Sequence, residues 1–222
     1  DLYRLRERRP DPLAPPELRV GADERMGPDG VIKALDPDEA RNVASRVAGL
    51  EAESVAVCLL HADRHPAHEA GIGEALRERL GPSVHVSLSH EVVGTFREYE
   101  RAATTEVDAA LSPLLGGYLA RLARRCEDVG LPEAAIMQSS GGLTDLETAS
   151  GHAALTVLSG PAGGAAAATL VAAAASRPNL LCFDMGGTSC DVCVVEGGAV
   201  RETGSKSIGG HPMALPMVDI ET

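Results

Sequence analysis

The stretch Asn179–Glu196, NLLCFDMGGTSCDVCVVE, constrains this chain more than any other. Two apolar runs, Leu180–Phe183 and Val192–Val195, have the composition of buried strands, and Gly186-Gly187 between them supplies a tight turn. The stretch therefore reads as strand, turn, strand. Two glycines let backbone N–H groups approach an anion, and Thr188 and Ser189 add hydroxyl donors. Asp184 is placed to hold a hydrated divalent metal, and Asp191 to shape the turn by accepting backbone hydrogen bonds. These are the parts of a nucleotide-phosphate clamp. The spacing is not G-x-x-x-x-G-K-[ST], and a dinucleotide fingerprint would open a helix where this turn joins two strands.

At 222 residues the chain holds one large or two small domains. A nucleic-acid binder needs stacking aromatics and a basic surface. This chain has no Trp, aromatics at only 2% and a formal charge of −12, so nucleic acid and anionic membranes are poor partners. Cys58, Cys126, Cys182, Cys190 and Cys193 lack framework spacing, which fits a reducing cytoplasm. Cys190 and Cys193 form a C-x-x-C, but residues three apart on a strand face opposite sides, so their sulfurs do not converge. The apolar run Ala165–Ala175 is too short to span a bilayer, and no leader peptide is visible. A start at Asp1 without Met and an end at Thr222 without a terminal pattern suggest a piece of a longer polypeptide.

Along the chain, the Arg- and Pro-rich residues 1–16 read as a connecting segment. Gly27-Pro28-Asp29-Gly30 reads as the turn of a hairpin, and Asp36-Pro37-Asp38-Glu39 as a capped helix start whose Glu39 completes a capping box. Strands are expected at Ser54–Leu60 and Val84–Ser89, with a helix from Pro66 to Leu80 stopped by Gly81. That is a βαβ unit and makes this half α/β. A long helical stretch, Phe96–Val129, is kinked or divided by Pro113. A short strand, Ala134–Gln138, ends in the polar loop Ser139-Ser140-Gly141-Gly142, and an alanine helix crosses about Pro161–Ala175. A domain boundary is expected near residues 160–178.

Other strings join the hairpin: LHADRHPAHE (Leu60–Glu69), HEVVGTFREYERAATTEVDAAL (His90–Leu111), IMQSSGGL (Ile136–Leu143), LSGPAGG (Leu158–Gly164), FDMGGTSCDV (Phe183–Val192) and the closing LPMVDIET. The hairpin itself resembles the second phosphate hairpin of the actin, sugar kinase and heat-shock chaperone ATPases. Together the strings, in this order and over nearly the whole chain, resemble the hydantoinase/5-oxoprolinase family. The resemblance implies an α/β, actin-like ATPase fold in partial two-lobed form. Residues 1–160 would end the N-terminal lobe, 161–178 would be an inter-lobe helix, and 179–222 would begin the second ATPase lobe. It implies ATP and magnesium as cofactors and hydrolysis of a cyclic amide of hydantoin or 5-oxoproline type, through phosphorylation of the amide oxygen. It also implies a second hydantoinase B-type subunit or fused domain as partner. Alternatives are an ATP-dependent ketone carboxylase subunit of the same family and a non-metabolic actin-like ATPase. The family's first phosphate hairpin and its adenosine-binding glycine motif have no counterpart here, so this piece alone is expected to be inactive.

On that resemblance Asp184 is the catalytic and metal-holding candidate, with Gly186, Gly187, Thr188, Ser189 and Asp191 around the phosphates. Arg97, Tyr99 and Arg101 concentrate charge at a helix start, either as a solvated face with i, i+3 and i, i+4 pairs or as a substrate or partner surface. Ser139, Ser140 and Gly141 end a strand, where ligands of α/β sheets often sit. His61, His65 and His68 resemble a metal cluster, but the loop-to-helix setting explains His65 as a cap and His68 as a first-turn residue.

Overall fold

A computed structural model describes residues 11–221, so the connecting segment up to residue 10 lies outside the described residues. The chain divides into two compact units, residues 1–110 with 207–214, and residues 111–206 with 215–222.

The first unit opens with an antiparallel hairpin, β1 (Arg25–Gly27) and β2 (Gly30–Lys33), joined at the expected turn with Gly27 opposite Gly30. Helix α1 (Pro37–Ala48) follows, capped by the Asp36 side chain, which accepts from Asp38 N–H at 2.7 Å. Glu39 does not complete a capping box. Its Oε1 takes the Asp23 N–H and the Arg46 guanidinium instead, both partners offered by the folded chain. Side-chain hydrogen bonding from Asn42, then from the Asp23 backbone, holds its carboxyl below the usual range.

Strand β3 (Ser54–Val57), helix α2 (Ala67–Leu80) and strand β4 (His85–Leu88) form the βαβ unit, with β3 and β4 parallel from Ser54 opposite His85 to Val57 opposite Leu88. Gly81 ends α2 at φ +74°, where a left-handed conformation needs glycine. Val57, Val86 and Leu88 meet Ala40, Val43, Ala44 and Val47 of α1 and Ile72 and Leu76 of α2 in one core. Gly73 lets α2 approach β4 so closely that a Cβ there would lie 2.8 Å from Leu88 Cδ1. The other strand face is polar: Ser87 Oγ donates to buried Asp108 Oδ2 at 2.7 Å.

β3 is shorter than the apolar run predicts. The Leu59 N–H is captured by Glu69 Oε1 and the Leu59 carbonyl by the Arg101 guanidinium, which takes both groups away from a ladder. A one-turn helix, α3 (Ser89–Val92), leads to α4 (Glu98–Asp128), which runs on through Pro113 without dividing.

In the second unit, β5 (Ile136–Met137) and β6 (Leu143–Thr144) pair across the Ser139–Gly142 loop, and α5 (Leu146–Gly151) is capped by Asp145. Helix α6 spans Ser159–Ala174. Strands β7 (Leu180–Met185) and β8 (Cys190–Glu196) pair antiparallel as the sequence predicts, extended by β9 (Ala199–Val200). Short strands β10 (Glu202–Thr203), β11 (Lys206–Ile208), β12 (His211–Met213), β13 (Met217–Val218) and β14 (Ile220–Glu221) follow; β14 joins β8 and β10 pairs with β13 in this unit, whereas residues 207–214, which carry the β11–β12 pair, belong to the first.

The small residues of α6 have a packing reason. Ala162 and Ala165 are buried against Cys193, Val218, Ile220 and the half-buried Cys182, so a helix without bulk lies close on the β7–β8 sheet. This contact places α6 and the hairpin in one compact unit together with residues 111–160. Among the described residues no helix is long and apolar enough to cross a membrane.

Candidate site at the glycine turn

The β7–β8 ladder sorts its side chains by alternation. Leu180, Cys182 and Asp184 share the face that α6 covers, whereas Leu181, Phe183 and Met185 are exposed on the other. Asp184 stands opposite Asp191, and Cys182 opposite Cys193. Cys190 stands opposite Met185 on the exposed side, so the C-x-x-C sulfurs do not converge. Burial, then the neighbouring Cys182, pushes the Cys193 thiol up to about 11, which makes it a core residue and not a nucleophile.

The turn closes with Gly186 N–H donating to the Ser189 carbonyl at 3.0 Å. Neither Gly186 nor Gly187 has a positive φ. A Cβ on Gly187 would meet nothing within 4 Å, and one on Gly186 only the Ser189 carbonyl at 3.9 Å. The fold therefore requires glycine at neither position, and their bareness keeps the turn backbone open to an approaching group. Thr188 and Ser189 are exposed, and their hydroxyls make no hydrogen bond to another described residue.

Asp184 is exposed at the end of β7, and its Oδ2 lies 3.4 Å from where a Cβ on Gly164 of α6 would stand. Gly164 is a contributor that the hairpin motif does not reveal. Its only sequence signal is the small-residue string at the start of α6. Asp191 Oδ1 accepts no backbone hydrogen bond: it is buried without a hydrogen-bond partner in the structure. A buried acceptor left unpaired is costly. With the Asp184 carboxylate across the ladder and two hydroxyls in the turn, the donor set is all oxygen. Such a set fits magnesium, which takes one or two carboxylates, keeps waters and binds phosphate oxygens. Among the described residues no group of three or more His, Cys, Asp or Glu side chains is arranged to hold a metal by itself.

The remaining sequence candidates lie elsewhere. Arg101 is wholly buried: Nε donates to Ser89 Oγ at 3.0 Å, Nη1 to the Thr95 carbonyl at 2.9 Å and Nη2 to the Leu59 carbonyl at 2.7 Å. Asp63 Oδ1 balances it at 3.5 Å. In the structure it ties the loops after β3 and α3 to the start of α3 and does not face solvent. Arg97 is exposed, sits at φ +81° and pairs with Glu100 at 3.3 Å, the i, i+3 pair of a solvated face. Tyr99 is half-exposed. Ser139 is buried, its hydroxyl directed at the carbonyls of Leu155 and Val157 and its own carbonyl accepting from Val218 N–H. Ser140 Oγ accepts from Gly142 N–H at 3.5 Å, and Gly141 turns the loop at φ +84°. His65 Nε2 contacts the Pro28 carbonyl, while His68 is buried between Glu24 and the Leu35 N–H, so each has a structural partner.

The chain matches the family model described as "Hydantoinase/oxoprolinase" over residues 101–222 and the one for the N-terminal region of the same family over residues 1–80. It is 31% identical to the caprolactamase subunit alpha of Pseudomonas jessenii over 95% of this chain and 30% of that protein. Identity to 5-oxoprolinase 1 of Arabidopsis thaliana is 35%, over 86% of this chain and 15% of the relative. The crystal structure of the Pseudomonas jessenii ATP-dependent caprolactamase superposes with a TM-score of 0.78 at 29% identity, covering 90% of this chain and 29% of that one. A nucleotide-free acetone carboxylase structure also gives 0.78, at 25% identity and with the same coverage. The chain thus spans about a third or less of the length of the curated relatives it matches.

Proposed function

Because the chain belongs to the hydantoinase/oxoprolinase family and carries its actin-like ATPase fold, we propose that it is the ATP-using region of a cyclic-amide hydrolase acting on a hydantoin, 5-oxoproline or similar lactam. A five-membered lactam resists water because its nitrogen shares electron density with the carbonyl. Attack of the amide oxygen on the γ-phosphorus of ATP, with ADP leaving, turns that oxygen into part of a leaving group. Water then adds at the ring carbon, the C–N bond breaks with its electron pair and a proton going to the nitrogen, and a second water hydrolyses the acyl phosphate that remains to carboxylate and inorganic phosphate.

The observation that carries this reading is the bare turn: two glycines the fold does not need, flanked by two unengaged hydroxyls and a pair of facing carboxylates. Backbone N–H groups there are accessible to phosphate oxygens, and Thr188 and Ser189 add donors. When bound, magnesium would neutralise phosphate charge, with Asp184 and Asp191 as the residues that hold it or its waters. Gly164 leaves the Asp184 carboxylate its place beside α6.

A ketone carboxylase subunit is the second reading, favoured by the acetone carboxylase likeness. Both chemistries share a phosphorylation step and differ in what is phosphorylated. Family membership leaves a chaperone-like or filament-forming role without support. We further place 1–160 at the end of an N-terminal lobe, 161–178 between lobes and 179–222 at the start of the second lobe of the complete protein. A B-type subunit or fused domain completes the reaction, a reading supported by relatives that are named as subunits. The free cysteines fit a reducing, cytoplasmic setting.

ATP hydrolysis by the complete protein separates these readings. Stimulation by hydantoin, 5-oxoproline or caprolactam is the expected result. Stimulation only by ketone plus bicarbonate selects the carboxylase, and stimulation by neither sinks both.

A further inference from the structure

The first unit contains a buried chain of hydrogen bonds that the glycine turn does not use, and its polarity is fixed. Arg101 has only donors, so its Nε–H donates to Ser89 Oγ at 3.0 Å. Ser89 Oγ therefore directs its own proton at Glu69 Oε1, 2.8 Å away. Glu69 is fully buried and also accepts the Leu59 N–H at 3.0 Å on Oε1 and the His90 N–H at 3.0 Å on Oε2. With the Ser89 O–H and two backbone N–H groups aimed at it, both oxygens of Glu69 serve as acceptors. The last contact, His90 Nδ1 to Glu69 Oε2 at 2.5 Å, must then carry its proton on Nδ1. In the neutral ring Nε2 is left as a bare lone pair, and no described residue hydrogen-bonds to it.

The place is as telling as the polarity. Ser89 and His90 directly follow β4, and Leu59 lies just beyond β3, so the chain sits at the carboxyl ends of two parallel strands, where α/β folds bind ligands. Glu69 has no exposure while the His90 side chain keeps 18%, so the ring is the outer end of the relay. Two strained non-glycine residues lie in the adjoining loops, His61 at φ +58° and Arg97 at φ +81°. Backbone strain of this kind costs about 1–3 kcal/mol per residue and gathers at functional sites.

From this geometry we propose that His90 is the proton-accepting residue of a small-molecule site at the carboxyl ends of β3 and β4, and that the ligand is a cyclic amide presenting its N–H to Nε2. The amide proton passes to Nε2, its bonding pair stays on the amide nitrogen, and the imidazolium so formed is balanced by Glu69. Arg101 and Ser89 are positioning residues that hold Glu69 as an acceptor and the ring in one tautomer. The identity of the ligand rests on the cyclic-amide reading above, whereas the tautomer and the exposed nitrogen do not.

The test uses the complete protein and diethyl pyrocarbonate, which acylates unprotonated, accessible imidazole nitrogens, with peptide mass mapping as readout. The expected result is acylation of His90, slowed at least tenfold by saturating 5-oxoproline, hydantoin or caprolactam. A His90 that stays unmodified, or that is modified equally with and without each amide, overturns the proposal. ATP hydrolysis measured in the same samples judges the cyclic-amide reading separately: stimulation without shielding sinks the His90 site alone, and shielding without stimulation sustains the site while that reading falls. His90→Gln, which retains a donor for Glu69, is expected to lower amide-stimulated kcat on the order of a hundredfold and to remove the acidic limb of its pH profile. His90→Gly is expected to regain rate with added free imidazole. An unchanged profile in His90→Gln, or no rescue in His90→Gly, counts against proton transfer at this residue.

Discussion

At the scale of single residues, one exposed carboxylate, one half-buried carboxylate and one buried arginine separate chemistry from architecture. Asp184 is exposed at the turn and holds up no core, so Asp184→Asn in the complete protein is expected to lower ATP turnover about a hundredfold or more while leaving the melting temperature unchanged. Asp191 behaves in the opposite sense in the ligand-free protein. Its Oδ1 is buried and unpaired beside a second carboxylate, so Asp191→Asn removes a repulsion and raises the melting temperature in calorimetry. Turnover near wild type in Asp184→Asn would make it a structural acid and end the phosphate-clamp reading. Arg101→Met strands the Asp63 carboxylate and three acceptor oxygens inside the first unit and is expected to cost about 3–5 kcal/mol in urea unfolding. Arg101→Lys does not rescue it, because an ammonium cannot reproduce a planar fork of donors. That burial was not legible in EYER. A charged residue in the first turn of a helix reads as solvated until the loops after β3 and β4 are known to close over it.

At the scale of elements, glycine and alanine mark where helices come closest to sheets. A Cβ at Gly73 would stand 2.8 Å from Leu88 Cδ1, and Leu88 is buried with little room to yield. Gly73→Ala therefore loses about 1–3 kcal/mol to overpacking, although alanine is the better helix former by about 1 kcal/mol. Leu88→Ala opens the same space, so the double variant is expected to be less destabilised than the sum of the singles, measured by a double-mutant cycle. Additive losses would show that the contact is not the cause. Along α6 the same logic acts through Ala162 and Ala165, whose lack of bulk brings the helix onto Cys182 and Cys193. The element boundaries that local chemistry controls were readable in advance: the Asp36 cap, the Gly81 stop and the β7–β8 hairpin. Those that distant groups control were not, such as β3, which ends early because Glu69 and Arg101 capture Leu59.

At the scale of the whole molecule, the chain covers 30% of the caprolactamase subunit it resembles, and on the proposed reading the phosphate clamp would be one wall of a nucleotide site. The isolated 222-residue chain is therefore expected to show no ATP hydrolysis and no saturable nucleotide binding by calorimetry, and the complete protein is expected to show both. Tight ATP binding by the isolated chain would mean that the clamp needs no second wall.

What the sequence determined by itself is whatever neighbours along the chain decide. Alternating and continuous apolar runs specify strands, caps and glycines place helix ends, and the D-x-G-G-T-x-x-D spacing sets two carboxylates and a bare turn side by side. Only the tertiary structure decided which polar groups end up inside. It turned Glu39 toward Asp23, buried Arg101 and Ser139, grouped α6 with its sheet in the second unit, and brought Glu69, Ser89, His90 and Arg101 into one relay. The physical reason is that a buried polar group must find partners, and those partners come from whichever segments the packing of the core brings within hydrogen-bonding distance.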